Sequence, residues 1–117
     1  MTVASALLSP KGRISRRDFW LKGLLILFPI WIAIAYVDAG IPAEPGRSVG
    51  SSPLDVVYFL TLWPALALVL KRLHDLGRSG WFAAVLLIPI ANLLVMAEMA
   101  VVRGTVGPNR FGDDPLP

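Results

Sequence analysis

Long apolar runs alternate along this chain with short polar breaks. Three runs dominate: Phe19 to Val37, Leu54 to Leu70 and Trp81 to Val102, of 19, 17 and 22 residues. A helix rising ~1.5 Å per residue needs about 20 residues to cross the hydrocarbon core of a bilayer, with ~17–25 as the working range. All three runs fall inside it. Their charges, Lys22, Asp55 and Glu98, stand near the ends of the helical segments, where side chains reach the headgroup layer. Each run holds one proline, Pro29, Pro64 or Pro89. Neighbouring helices can satisfy the carbonyl that such a proline frees. Trp20 and Trp81 fall at run ends, as interfacial residues should, while Trp31 and Trp63 lie deeper and are expected to pack between helices.

The breaks have a different character. Residues 38–53, DAGIPAEPGRSVGSSP, have no periodicity and read as a loop. Residues 71–80 form a short polar turn, and residues 103–117, RGTVGPNRFGDDPLP, an irregular tail. The expected fold is an all-α membrane protein: one integral domain over residues 1–117, a small bundle of three transmembrane helices with proline-containing spans. Bending of the third run at Pro89 to Asn92 into a re-entrant hairpin is the alternative, and it would return the tail to the side of loop 71–80. A single crossing is expected because broken helices facing lipid are disfavoured. Leu24 to Val37 has the length of a signal-peptide core, but the 22-residue leader, Pro29 and Trp31 favour a retained helix.

Composition supports the membrane. Hydrophobic residues make up 56% of the 117 positions and charged ones 16%, against roughly 45–50% and about 25% in an average soluble domain. So small a soluble interior could not hide that excess. With no cysteine, disulfides and thiolate metal sites are excluded. The net charge of +3 is spread unevenly. Residues 1–22 carry Lys11, Arg13, Arg16, Arg17 and Lys22; loop 38–53 carries only Arg47, against Asp38 and Glu44; loop 71–80 carries Lys71, Arg72 and Arg78; the tail carries Arg103 and Arg110. The positive-inside rule then predicts a cytoplasmic N-terminus and loop 71–80, with loop 38–53 outside. Three crossings would leave the tail outside.

The polar breaks also hold the candidate chemistry. In GRISRRDFW, Gly12 to Trp20, Ser15 and Asp18 have capping-box spacing, so the first helix is expected to start near Ser15. Its first turn would lie among the headgroups, with Arg13, Arg16 and Arg17 available to lipid phosphate. In LKRLHDLGRSGW, Leu70 to Trp81, Asp75 can pair locally with Lys71 or Arg72, and Gly77 suits a helix C-cap. His74 and Asp75 are adjacent and point about 100° apart on a helix, which argues against an acid–base pair. No serine, cysteine or second histidine completes a nucleophilic or metal-binding set. In GTVGPNRFGDDP, Gly104 to Pro115, the turn residues suit a capping loop; Asn109 and Arg110 could tie it to a helix end, and Phe111 could anchor it in the interface. Glu98 is expected near the far interface, about 25 Å along the third helix from Trp81.

Together GRISRRDFW, KRLHDLGRSGW and RGTVGPNRFGDDP resemble the domain of unknown function 805 family, the YhaH-like small bacterial inner-membrane proteins, over residues 11–116. The chain departs from the family pattern at Lys71, Phe82, Asn92, Val106 and Asp113. The resemblance implies an integral inner-membrane protein and no particular reaction. It also implies that Arg13, Arg16, Arg72, His74 and Asp75 belong to one shared feature, in which Asp75 is expected to pair with Arg13 or Arg16 while Arg72 and His74 face lipid phosphate or a partner. The function expected is a non-enzymatic module that binds anionic lipid, or a membrane partner, through Arg13, Arg16, Arg17, Arg72, His74, Asp75, Asn109 and Arg110. No catalytic residue, metal, cofactor or nucleic-acid partner is expected; self-association is possible. The alternative is a small oligomeric transporter or channel subunit, supported by Glu98, Asn92 and the prolines.

Overall fold

The computed structural model describes residues 2–42, 45–48 and 50–116. The helices are α1 (Val3–Leu8), α2 (Arg16–Ala39), α3 (Pro53–Asp75) and α4 (Pro89–Val101), with a 3₁₀ stretch, Gly80–Leu87, ahead of α4. Two of them, α2 and α3, are long and apolar enough to cross a membrane; α4 is shorter and apolar. The expected all-helical membrane class holds. Large apolar side chains, Leu25, Tyr36, Leu60 and Trp81 among them, point outward. That is the surface a bilayer rather than water solvates.

Helix α2 starts at Ser15, whose Oγ accepts from the Asp18 amide at 3.1 Å. The Asp18 carboxylate does not complete the expected box and lies 3.9 Å from Lys22. Pro29 has no N–H to offer the Leu25 carbonyl. The chain answers with a π turn at Gly23–Leu27, where the Phe28 amide donates to Gly23 O. Helix α3 opens on a full capping box, Ser52 with Asp55, each amide donating to the other's side chain at 3.2 Å. Trp31 bridges the two long helices, donating to Thr61 Oγ1 at 2.8 Å. Trp63, expected to pack between helices, instead donates to Leu8 O at the end of α1 at 2.9 Å.

Helix α3 ends in a Schellman motif. The Arg78 amide donates to Leu73 O at 2.9 Å and the Gly77 amide to His74 O at 3.0 Å. Gly77 takes φ +78°, and a Cβ there would stand 3.2 Å from Thr105 Oγ1. Gly77→Ala is therefore expected to cost about 1–2 kcal/mol, read as a lowered melting temperature in detergent micelles.

The third apolar run differs from the single rod expected over 81–102. The 3₁₀ stretch ends at Ile88, with φ −91° and ψ 118°, and α4 begins at Pro89. A proline biases the residue before it away from helix, so Ile88 is the corner. From there the chain turns back. Leu73, Val95 and Met99 form one buried cluster, and Phe82, Val85 and Leu86 pack on it from the other half of the hairpin. Both ends of the run adjoin the end of α3: Leu70 Cδ2 lies against Gly80, and Arg72 reaches Met99 O at 2.7 Å. Glu98 is accordingly not at the far interface. It accepts from Arg78 at 2.6 Å. A second cluster, Ile14, Leu27 and Leu68, joins α2 to α3 with Phe19 and Ala65 against it.

Candidate functional site

Where α3 stops, three stretches distant in sequence meet: residues 12–16, 71–75 and 99–114. Asp75 is at their centre, 2% exposed. Its Oδ1 accepts from Arg13 Nε at 3.0 Å, and its Oδ2 from Arg72 Nη1. Arg13 is 4% exposed and Arg72 fully buried. Burying such charges is tolerable only if they are paired and their remaining N–H groups are bonded. Here they are. Arg13 also donates to Gly107 O at 2.7 Å, to Gly112 O at 3.3 Å and to Thr105 O. Arg72 also donates to Met99 O at 2.7 Å and to Val102 O.

These acceptors explain why the basic residues of this chain are spaced as they are. The last carbonyls of a helix have no partner within it. At the end of α4, Arg72 takes Met99 O, Trp20 Nε1 takes Ala100 O at 3.1 Å, and Arg16 takes Val101 O at 2.6 Å. At α1, Lys71 takes Ser5 O and, at 3.0 Å, Ala6 O. Cations there also suit the negative end of each helix dipole. Re-entry of α4 leaves its C-terminus beside α3, and this set of donors makes that placement stable.

The tail closes over the site. Asn109 Nδ2 donates to His74 O at 2.9 Å, and Asn109 Oδ1 accepts from the Phe111 amide at 2.9 Å. That turn lays Phe111 flat on the His74 ring, centroids 4.1 Å apart and planes 8° apart. Phe111, expected as an interfacial anchor, is thus a lid on His74. The imidazole Nδ1–H donates to Gly12 O at 3.1 Å. Arg110 lies 4.6 Å from the Phe111 centroid. Asp114 accepts from the amides of Leu116 at 2.9 Å and Gly107 at 2.8 Å, which hold its carboxyl below the ordinary aspartate range.

Of the residues expected to form one feature, the structure joins Arg13, Arg72, His74 and Asp75, and Asn109 of the tail ties onto them at His74 O. Of the two partners expected for Asp75, Arg13 or Arg16, it is Arg13 that pairs with it, and Arg72 joins them. Arg72 and His74, expected to face phosphate or a partner, are turned inward by the carbonyls they serve. Arg16 reaches α4. Arg17, its side chain 78% exposed and 3.8 Å from Asp18, stands apart from the cluster. Lys11, Arg16, Arg17, Arg103 and Arg110 are the exposed basic residues at this end. Sequence reasoning missed Lys71 and α1; the signal was Thr2, whose Oγ1 accepts from the Ser5 amide at 3.1 Å and caps that helix.

An all-helical membrane bundle, locked at one end by buried arginines on a single aspartate, is the class these features define. The family model for "Protein of unknown function (DUF805)" matches residues 7–113, and the chain belongs to that family. It is 32% identical over 106 residues to the inner membrane protein YhaH of Escherichia coli (strain K12), covering 90% of this chain and 85% of that one. It is 43% identical over 106 residues to the inner membrane protein YhaI of the same strain, covering 89% and 83%. It is 35% identical over 104 residues to the uncharacterized protein YiiR, also of that strain, covering 89% and 65%. No solved structure matches the chain.

Proposed function

We propose that this protein is a non-enzymatic, multi-pass module of the bacterial inner membrane that binds anionic lipid through a basic cytoplasmic face. The observation that carries the reading is a division of labour among the basic residues. Arg13, Lys71 and Arg72 are buried and spend their donors on protein carbonyls. Lys11, Arg16, Arg17, Arg103 and Arg110, at the same end, remain exposed. Residues 1–22, 71–80 and 98–117 hold ten of the eleven Lys and Arg residues, against five of the eight acids, and so carry a charge of +5. Loop 38–53 with Asp55 carries −2. The positive-inside rule puts the basic end in the cytoplasm. Each exposed basic residue near an anionic leaflet contributes roughly 1 kcal/mol.

Two other readings find less support. Acid–base chemistry would need Asp75 open to a substrate, but both of its oxygens are engaged by arginine. An ion pathway would need Glu98 facing water, but Arg78 holds it at 2.6 Å.

A reporter active only in the cytoplasm, fused after Pro117, tests the orientation. Activity there, with none from the same reporter placed at Arg47, is the expected result. Activity at Arg47 with none at the C-terminus would overturn the reading, because the basic face would then lie outside.

A further inference from the structure

The exposed arginines differ in what lies beneath them. Arg16 and Arg103, with Gly104 and Leu116, line a cleft of about 350 Å³. Between α2, α3 and α4 runs an apolar groove of about 250 Å³, bordered by Phe19, Trp20, Gly23, Leu27, Met96 and Met99 among others. Trp20, on the wall of the groove, stands one helical turn from Arg16 of the cleft. Its ring walls the groove while its Nε1 holds Ala100 O at 3.1 Å, next to the Val101 carbonyl that Arg16 holds at 2.6 Å.

The dimensions select an occupant. From Arg16 to Leu27 the helix descends roughly 16 Å at ~1.5 Å per residue, about half of the ~30 Å hydrocarbon core. A volume of 250 Å³ along that length leaves a channel far narrower than the ~10–12 Å diameter of a helix. One hydrocarbon chain suits it; a partner helix does not. At the upper end two guanidinium groups face the cleft, and the acid nearest to them, Asp114, lies 3.9 Å from Arg103 and is engaged by the Gly107 and Leu116 amides. The positive charge suits a phosphate. The π turn and Gly23 open the groove, for a Cβ at Gly23 would meet nothing within 4 Å.

We propose that Arg16 and Arg103 bind the phosphate of a single anionic phospholipid, one of whose acyl chains lies in the groove along Phe19, Trp20, Gly23 and Leu27. This rests on the basic-face reading and narrows it to one site. Arg17 and Lys11 then belong to the diffuse field around the site, and Arg16 and Arg103 to the site itself.

The test uses the full chain reconstituted in phosphatidylcholine vesicles containing chain-spin-labelled phosphatidylglycerol, with labelled phosphatidylcholine as the reference. Electron paramagnetic resonance then reads the motionally restricted fraction. The wild type is expected to restrict labelled phosphatidylglycerol selectively and saturably. Arg16→Gln with Arg103→Gln should weaken that preference roughly thirtyfold, and Lys11→Gln with Arg17→Gln much less. Gly23→Leu fills the groove without touching a charge and has space for its side chain. It should abolish the restricted component while leaving the melting temperature near that of the wild type. If Lys11 and Arg17 matter as much as Arg16 and Arg103, or if Gly23→Leu leaves the restricted component intact, the single-lipid site is wrong and the basic-face reading survives. If the wild type shows no preference for phosphatidylglycerol, both fall.

Discussion

Asp75→Ala is expected to cost about 3–5 kcal/mol, the usual consequence of removing one partner from a buried ion pair. The carboxylate is the only acid in contact with Arg13 and Arg72 among the described residues. Without it Arg13 and Arg72, at 4% and 0% exposure, remain buried with no acid in contact among the described residues. They cannot both swing out to water, because they also hold the carbonyls of Thr105, Gly107, Met99 and Val102. Native proteins are stable by only about 5–15 kcal/mol, so the loss threatens the whole bundle. Purified in detergent, the variant should melt far below the wild type and accumulate poorly in cells. Arg17→Ala is the contrast. Its side chain is 78% exposed, its nearest acid is 3.8 Å away, and the change should stay within about 0.5 kcal/mol. Equal melting temperatures for Asp75→Ala and the wild type would show that the cluster does not stabilise the fold.

The same cluster marks how far the sequence could be read. Apolar run length located α2 and α3, because crossing a bilayer demands a minimum number of residues and nothing subtler. Ser15 and Gly77 were legible for a similar reason: caps are local, and their geometry is written within four or five residues. The turn at Ile88 was visible only as an alternative. Pro89 supplies the break, but a proline also sits inside α3 at Pro64 without reversing the chain. What separates them is the set of distant donors, Arg16, Trp20 and Arg72, waiting for the returning carbonyls. Such donors are long-range, and periodicity carries no record of them. The Arg13–Asp75 pair was reached, with Arg16 as the alternative, through the family resemblance, whereas the inward turn of Arg72 and His74 was not. A basic residue beside a membrane span looks the same in sequence whether it serves phosphate or a carbonyl.

The tail shows why that distinction matters. Arg13, just ahead of α2, donates to its carbonyls, and the last carbonyls of α3 accept from Thr105 and Asn109, yet it has no apolar run of its own and ends in turns. Its docking therefore depends on fit at a few backbone positions, and Gly104 is the tightest.

Gly104→Ala is accordingly expected to undock the tail. A Cβ at this position would lie 1.9 Å from Asp75 Oδ2 and 2.2 Å from its Cγ. The carboxylate cannot yield, since Arg13 and Arg72 hold one oxygen each. The tail has to move instead. It then loses the bond from the Thr105 amide to Asp75 O, 2.7 Å in the native fold, and misaligns the carbonyls that Arg13 holds. Gly104 has no left-handed φ, so the requirement is space alone. Overpacking of this kind costs typically about 1–3 kcal/mol, occasionally more, and pinned neighbours put this case at the upper end. Trypsin should then cut quickly at Arg103 and Arg110 while circular dichroism reports the helices intact. A double-mutant cycle separates this clash from a general intolerance of side chains at 104. In the Asp75→Ala background the obstructing carboxylate is gone, so adding Gly104→Ala should cost almost nothing further. Additive losses would mean that Gly104 is required for some reason other than the carboxylate beside it.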